Sequence, residues 1–161
     1  MADEERDDQF DQDEEQEEKL FDHQEAEQLL PLLESLISTV VEEKKLVEGI
    51  DEEFARVQNR ILLYGGLVPA YGYLAQKKLH RDTSASTLRE ALTRMEQTGC
   101  IVKDLDRGLI DFLSIVNDEQ VYLCWKRGES RIRFWHRLDE GFAGRKPLGP
   151  SQGERHGPKP H

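Results

Sequence analysis

The sequence predicts an α+β domain: a long antiparallel helical hairpin capped by a small antiparallel β-sheet. Three observations carry this. From Ala26 to Tyr64, apolar residues return at alternating steps of three and four, the spacing of a single stripe on a helix. Gly65-Gly66 then interrupts the pattern, and a second, weaker helical stretch runs on to Thr98. After Gly99 the apolar period falls to two, with turn residues between the runs, which is the signature of short strands.

Charge separates the ends from the body. The 161-residue chain has a formal net charge of -11, yet residues 2–18 alone hold eleven acidic residues against one basic. Outside that segment the charge is near -1. Residues 1–18 have one large apolar side chain, Phe10, and cannot offset their ordering entropy by burial, so a disordered acidic tail is expected there. A Gly/Pro-rich tail is expected over 149–161. One domain remains over 19–148, divided into a hairpin (19–98) and a β segment (99–148). Two cysteines make no disulfide framework. No stretch has the roughly 18 apolar residues needed to span a bilayer, and the acidic start is unlike a signal peptide. The expected location is the cytoplasm.

The elements follow in order. Lys19-Leu20-Phe21 suits a short edge strand. Asp22 is placed as an N-cap, with Glu25 three residues on as in a capping box. The first helix reads to Leu63, roughly 60 Å at 1.5 Å per residue. Its stripe runs through Ala26, Leu33, Val40, Val47, Phe54 and Ile61. Pro31 is expected to kink or restart it. The second helix reads from about Pro69 to Thr98, and Asp82-Thr83-Ser84 could break it with a fresh N-cap. Helices joined by so short a loop pair side by side and bury their facing stripes. Strands are expected at Ile101–Lys103, Leu109–Phe112, Val121–Trp125 and Arg131–Trp135. The turns between them are Asp106-Arg107-Gly108, Asn117-Asp118 and Arg127-Gly128-Glu129.

The runs LFDHQEAEQLLPLL, GCIVKDLDRGLIDF, VYLCW, FWH and DEGFAGRKPL resemble a bacterial family catalogued as Domain of Unknown Function 2203, over roughly Lys19 to Leu148. The family has no established activity, so the resemblance assigns no role to any residue.

The residues name no reaction and no cofactor, and whether the protein is an enzyme stays open. Cys100, Cys124 and His136 share one region but lack the close ligand pairs of structural zinc sites; no metal site is expected, and the cysteines read as small buried hydrophobes. Asp104, Asp106 and Asp111 lie around one turn, and Asp139-Glu140 follow His136. Gly141, Gly144 and Arg145 could cradle an anion, or Arg145 could pair with Asp139 or Glu140. If a ligand site exists, it is expected where Lys103, Asp104 and Asp106 meet His136, Asp139, Glu140 and Arg145, on loops gathered by one sheet. Residues 126–146 hold seven basic residues against three acidic, with Trp125, Phe134 and Trp135 interleaved. That mixture also suits a solvated sheet face, and nucleic acid is not the favoured partner. The favoured function is a non-enzymatic interaction module that binds a protein partner or a second copy through the hairpin; the alternative is a small-anion or divalent-metal site, possibly catalytic, on the β cap.

Overall fold

A computed structural model describes residues 18–66 and 71–149. Both expected tails fall almost wholly outside this range, as does Pro69.

Helix α1 spans His23–Tyr64, 42 residues. It starts at Asp22, whose carboxylate accepts the Glu25 N–H at 2.7 Å, the N-cap bond that satisfies one of the four free donors of the first turn. The helix runs through Pro31 without a break, so it does not restart there. Proline costs about 3 kcal/mol in a helix interior. Here the ring is exposed, while Leu30 and Leu33 on the opposite side are locked into the core. Burying such side chains contributes about 1.5–3 kcal/mol each, enough to carry the helix past the missing hydrogen bond.

Helix α2 spans Tyr71–Gln97 and is also continuous. The break at Asp82-Thr83-Ser84 does not occur. Thr83 Oγ1 donates to the Leu79 carbonyl at 2.9 Å, and Thr87 Oγ1 to that of Thr83 at 3.1 Å, so the hydroxyls bond backward along the helix instead of capping a new one. Ser84 is buried. The helices pack as the expected hairpin.

Five strands form one antiparallel sheet in sequence order: β1 (Ile101–Asp104), β2 (Leu109–Val116), β3 (Glu119–Lys126), β4 (Phe134–Arg137) and β5 (Lys146–Pro147). The turn between β2 and β3 is Asn117-Asp118, with φ of 51° and 64°. Two consecutive left-handed residues match the twist of the flanking strands in a two-residue hairpin. β4 begins later than expected, after Arg131–Arg133, and β5 has no counterpart in the sequence reading. The segment at Lys19–Phe21 is not a formal strand. It does lie along β2, where the Phe21 N–H donates to the Leu113 carbonyl at 2.8 Å and Ser114 Oγ to the Phe21 carbonyl at 2.7 Å.

The inner face of the sheet presents Ile110, Phe112, Leu123 and Trp125 to Leu33, Ile37 and Met95 of the hairpin. This core holds only the proximal part of the helices. On α1, six of the seven buried residues lie between Ala26 and Val40; on α2, all three lie from Ser84 onward.

Candidate functional site

Alternation along each strand decides what the outer face carries. Asp111 of β2 is opposite Cys124 of β3, and Tyr122 of β3 is opposite His136 of β4. With a side-chain period of two, Asp111, Cys124, Tyr122, Phe134 and His136 all project to the side away from the helices. Asp111, Cys124 and His136 are each at most 2% exposed. One ligand-capable atom from each lies within 4.8 Å of the other two.

The hydrogen bonds locate the protons. His136 Nδ1 lies 2.8 Å from the Arg137 carbonyl oxygen. A carbonyl only accepts, so Nδ1 carries a hydrogen. Nε2 lies 2.9 Å from Asp111 Oδ2, and one proton is shared across that contact. Asp111 Oδ1 is buried without a hydrogen-bond partner. The Cys124 thiol is pushed up to about 12 by burial and by the Asp111 charge, against the pull of Arg145.

Arg145 closes one side of this face. Its Nη2 donates to both Glu129 carboxylate oxygens, at 2.9 and 2.7 Å, and to the Cys124 carbonyl at 3.3 Å. The guanidinium lies 4.1 Å from the Phe134 ring centroid and 4.8 Å from that of Phe142. Its partner is thus Glu129, neither Asp139 nor Glu140. Glu140 instead accepts Lys146 at 2.9 Å and the Arg137 N–H at 3.2 Å; Lys146 first, then Arg137, hold its carboxyl below the usual range. On the other side, the register of β1 shifts between Val102 and Asp104. Such a bulge re-aims a side chain, and Lys103 Nζ sits 4.8 Å from the Tyr122 ring centroid, which is itself 5.5 Å from the His136 ring.

Of the seven residues expected in a site, the sheet therefore brings Lys103, His136 and Arg145 to one face. It does not bring the loop carboxylates together. β1 and β4 run antiparallel to one another, so the turns that follow them lie at opposite ends of the sheet. At one end Asp104 accepts the Arg107 N–H at 3.0 Å and Asp106 accepts Lys44 Nζ at 2.7 Å. Asp139 and Glu140 follow β4 at the other end. Asp111 and Cys124 lie outside the seven expected residues; the signal for Asp111 in the sequence is that it is the one charge in the run LIDFLSIV.

Four of the seven basic residues of 126–146 pair with carboxylates. Arg127 meets Glu34 at 3.8 Å and Arg131 meets Glu27 at 3.4 Å, in addition to the pairs of Arg145 and Lys146.

A second feature lies at the far end of the hairpin. Leu62, Leu63, Tyr64 and Tyr71 are all more than two-thirds exposed. Beside them runs a groove of about 640 Å³ lined mainly by Phe54, Val57, Ile61, Leu62, Tyr71 and Leu74. Polar pairs fix the helices here: Arg81 Nε to Asp51 Oδ1 at 2.6 Å and the Tyr73 hydroxyl to Glu53 Oε1 at 2.6 Å. Among the described residues no helix is long and apolar enough to cross a membrane.

In comparison with known proteins, residues 19–148 match a family described as an uncharacterized conserved protein, DUF2203. No curated protein and no solved structure matches.

Proposed function

The chain belongs to the DUF2203 family, and we propose that it is a non-enzymatic interaction module whose hairpin pairs with a second copy of itself. One observation carries this reading: the apolar groove on the distal hairpin. The stripe from Phe54 to Ile61 continues past the last residue of α1 that the fold buries, Ile50. Two helices alone leave such a stripe half covered, and a second hairpin completes a four-helix arrangement. The same surface on both copies suits a two-fold contact.

Charge supports a second copy as the occupant. Residues 42–53 of α1 hold six acidic residues and two basic, whereas residues 71–81 of α2 hold Lys77, Lys78 and Arg81 and no acidic residue. Within one hairpin Arg81 already pairs with Asp51 and Lys77 with Glu53, so the charges offered to a second copy are Lys78, at the groove, and the remaining acidic residues of α1 such as Glu43 and Glu52. Complementary rims of this kind fix register and partner choice. Both cysteines are free, which fits a reducing compartment such as the cytoplasm.

Sedimentation velocity over a concentration series tests the reading. A dimer is expected for the parent, and Ile61→Asp should give a monomer with unchanged helix content, since Ile61 is 38% exposed in the single chain. A parent that stays monomeric at about 100 μM, well above the micromolar range of weak but specific contacts, refutes self-association. A dimer indifferent to Ile61→Asp places the contact elsewhere and refutes the groove.

A second reading, a small-anion or divalent-metal site on the sheet, is favoured by one observation, the convergence of Asp111, Cys124 and His136.

A further inference from the structure

We infer that Asp111, Cys124 and His136 form a binding site for a thiophilic divalent metal of the zinc class on the outer face of the sheet. This rests on the second reading above and is independent of hairpin pairing. The three side chains come from β2, β3 and β4 and are brought together by register alone. Two features of the group point to a ligand.

The first is the orphaned oxygen. Asp111 is 1% exposed, its Oδ1 has no hydrogen-bond partner, and its Oδ2 is bonded to His136 Nε2. A buried carboxylate ordinarily accepts several hydrogen bonds, because leaving part of its charge uncompensated is costly. A cation at this point satisfies it. The second feature is the orientation of His136. Metal-bound imidazoles hold their second ring nitrogen with a backbone carbonyl or carboxylate, which fixes the tautomer and aims the other nitrogen. His136 Nδ1 already donates to the Arg137 carbonyl, and Nε2 points at Asp111.

The donor set selects the metal. One sulfur, one imidazole nitrogen and one carboxylate oxygen suit zinc and its neighbours, whereas magnesium and calcium prefer oxygen alone. Zinc bonds of roughly 2.0–2.3 Å place tetrahedral ligands roughly 3.5 Å apart. The three atoms lie within 4.8 Å of one another, so closure onto the ion needs movements of about 1 Å or less by this geometry. Three protein ligands leave a fourth position to water or to the second Asp111 oxygen. A metal-bound cysteine is a thiolate, so binding releases the Cys124 thiol proton and should strengthen as pH rises. The absence of paired ligands such as C-x2-C gave no hint of this in the sequence, because here the pairing is made across strands.

Cobalt(II) is the probe. Only thiolate-bound cobalt gives a sulfur-to-metal charge-transfer band in the near ultraviolet, so the many carboxylates of residues 2–18 cannot imitate the signal. Chelator-treated full-length protein should take up one equivalent with that band and the visible bands of tetrahedral cobalt, and zinc should displace it. Cys124→Ser should abolish the charge-transfer band and weaken binding by more than the roughly 10–100-fold typical of losing a supporting residue. Cys100→Ser should leave both unchanged. Zinc should raise the melting temperature of the parent and of Cys100→Ser but not of Cys124→Ser, a readout that holds even if the variants differ in stability. No uptake by the parent overturns this site and the metal half of the second reading together. A charge-transfer band that survives Cys124→Ser overturns this site.

Discussion

The Asp111–His136 pair makes an uneven prediction about stability, measured in chelator so that no metal contributes. His136→Ala removes the imidazole bonded to Asp111 Oδ2, whose other oxygen has no partner. The carboxyl, 1% exposed, is then left without that bond, and breaking a buried pair by removing one partner costs about 3–5 kcal/mol. Asp111→Ala is milder. His136 keeps the Arg137 carbonyl and loses one bond, so about 1–3 kcal/mol is at stake for the unsatisfied ring nitrogen. Asp111→Asn should be milder still, because the amide can donate to Nε2 while Nδ1 continues to donate to Arg137. Since the two residues serve each other, the double Ala variant should cost less than the sum of the singles, with a coupling on the order of 2 kcal/mol. Urea unfolding of the four proteins gives the cycle directly. Additive losses, or a His136→Ala variant as stable as Asp111→Ala, would refute the view that the buried carboxylate depends on the imidazole.

Two glycines should respond in opposite directions. Gly49 lies inside α1 with open space where a Cβ would stand, so Gly49→Ala should raise the denaturation midpoint by about 1 kcal/mol of helix propensity. Gly108 has φ of +67°, and a Cβ there would lie 2.5 Å from that of Arg127; Gly108→Ala should lose more than about 1 kcal/mol through strain and the clash. Thiol chemistry gives another check. With the Cys124 thiol pushed up to about 12 and Cys100 raised by burial as well, metal-free protein at pH 8 should label with iodoacetamide only on unfolding, because the thiolate is the nucleophile. For Cys124 the thiolate fraction at pH 8 is about 10⁻⁴ by that shift. Rapid modification of native protein, counted by mass spectrometry, would contradict the burial of these two side chains.

What the sequence disclosed was local. Asp22 caps α1 because the cap and the Glu25 N–H it binds are three residues apart, and Asn117-Asp118 turn the chain because their own backbones tolerate the left-handed region. The failures were those in which a distant partner overrides a local preference. Pro31 is carried through α1 by the burial of Leu30 and Leu33. β5 is only Lys146–Pro147 and exists by pairing with Phe134 and Trp135. The placement of the charged turns was not legible either, since turns that follow β1 and β4 end up at opposite ends when the strands alternate in direction.

The outer-face group carries the same lesson further. Asp111 and Cys124 are thirteen residues apart and His136 twelve more, with no repeated spacing to signal a site. What joins them is two cross-strand registers, Asp111 with Cys124 and Tyr122 with His136. A slip of one residue in either would send a member to the inner face. Both registers are secured from the opposite side, where Phe112, Leu123 and Trp125 fill the core against the helices. The inner face thus determines the chemistry of the outer one: a change that loosens Trp125 should disturb the His136 and Asp111 geometry without touching either residue. The distal hairpin is free of that constraint, because the residues that line its groove, from Phe54 to Leu74, lie beyond the buried core. Pairing through the groove and chemistry on the sheet can therefore vary separately, and a mutation that abolishes one should leave the other measurable.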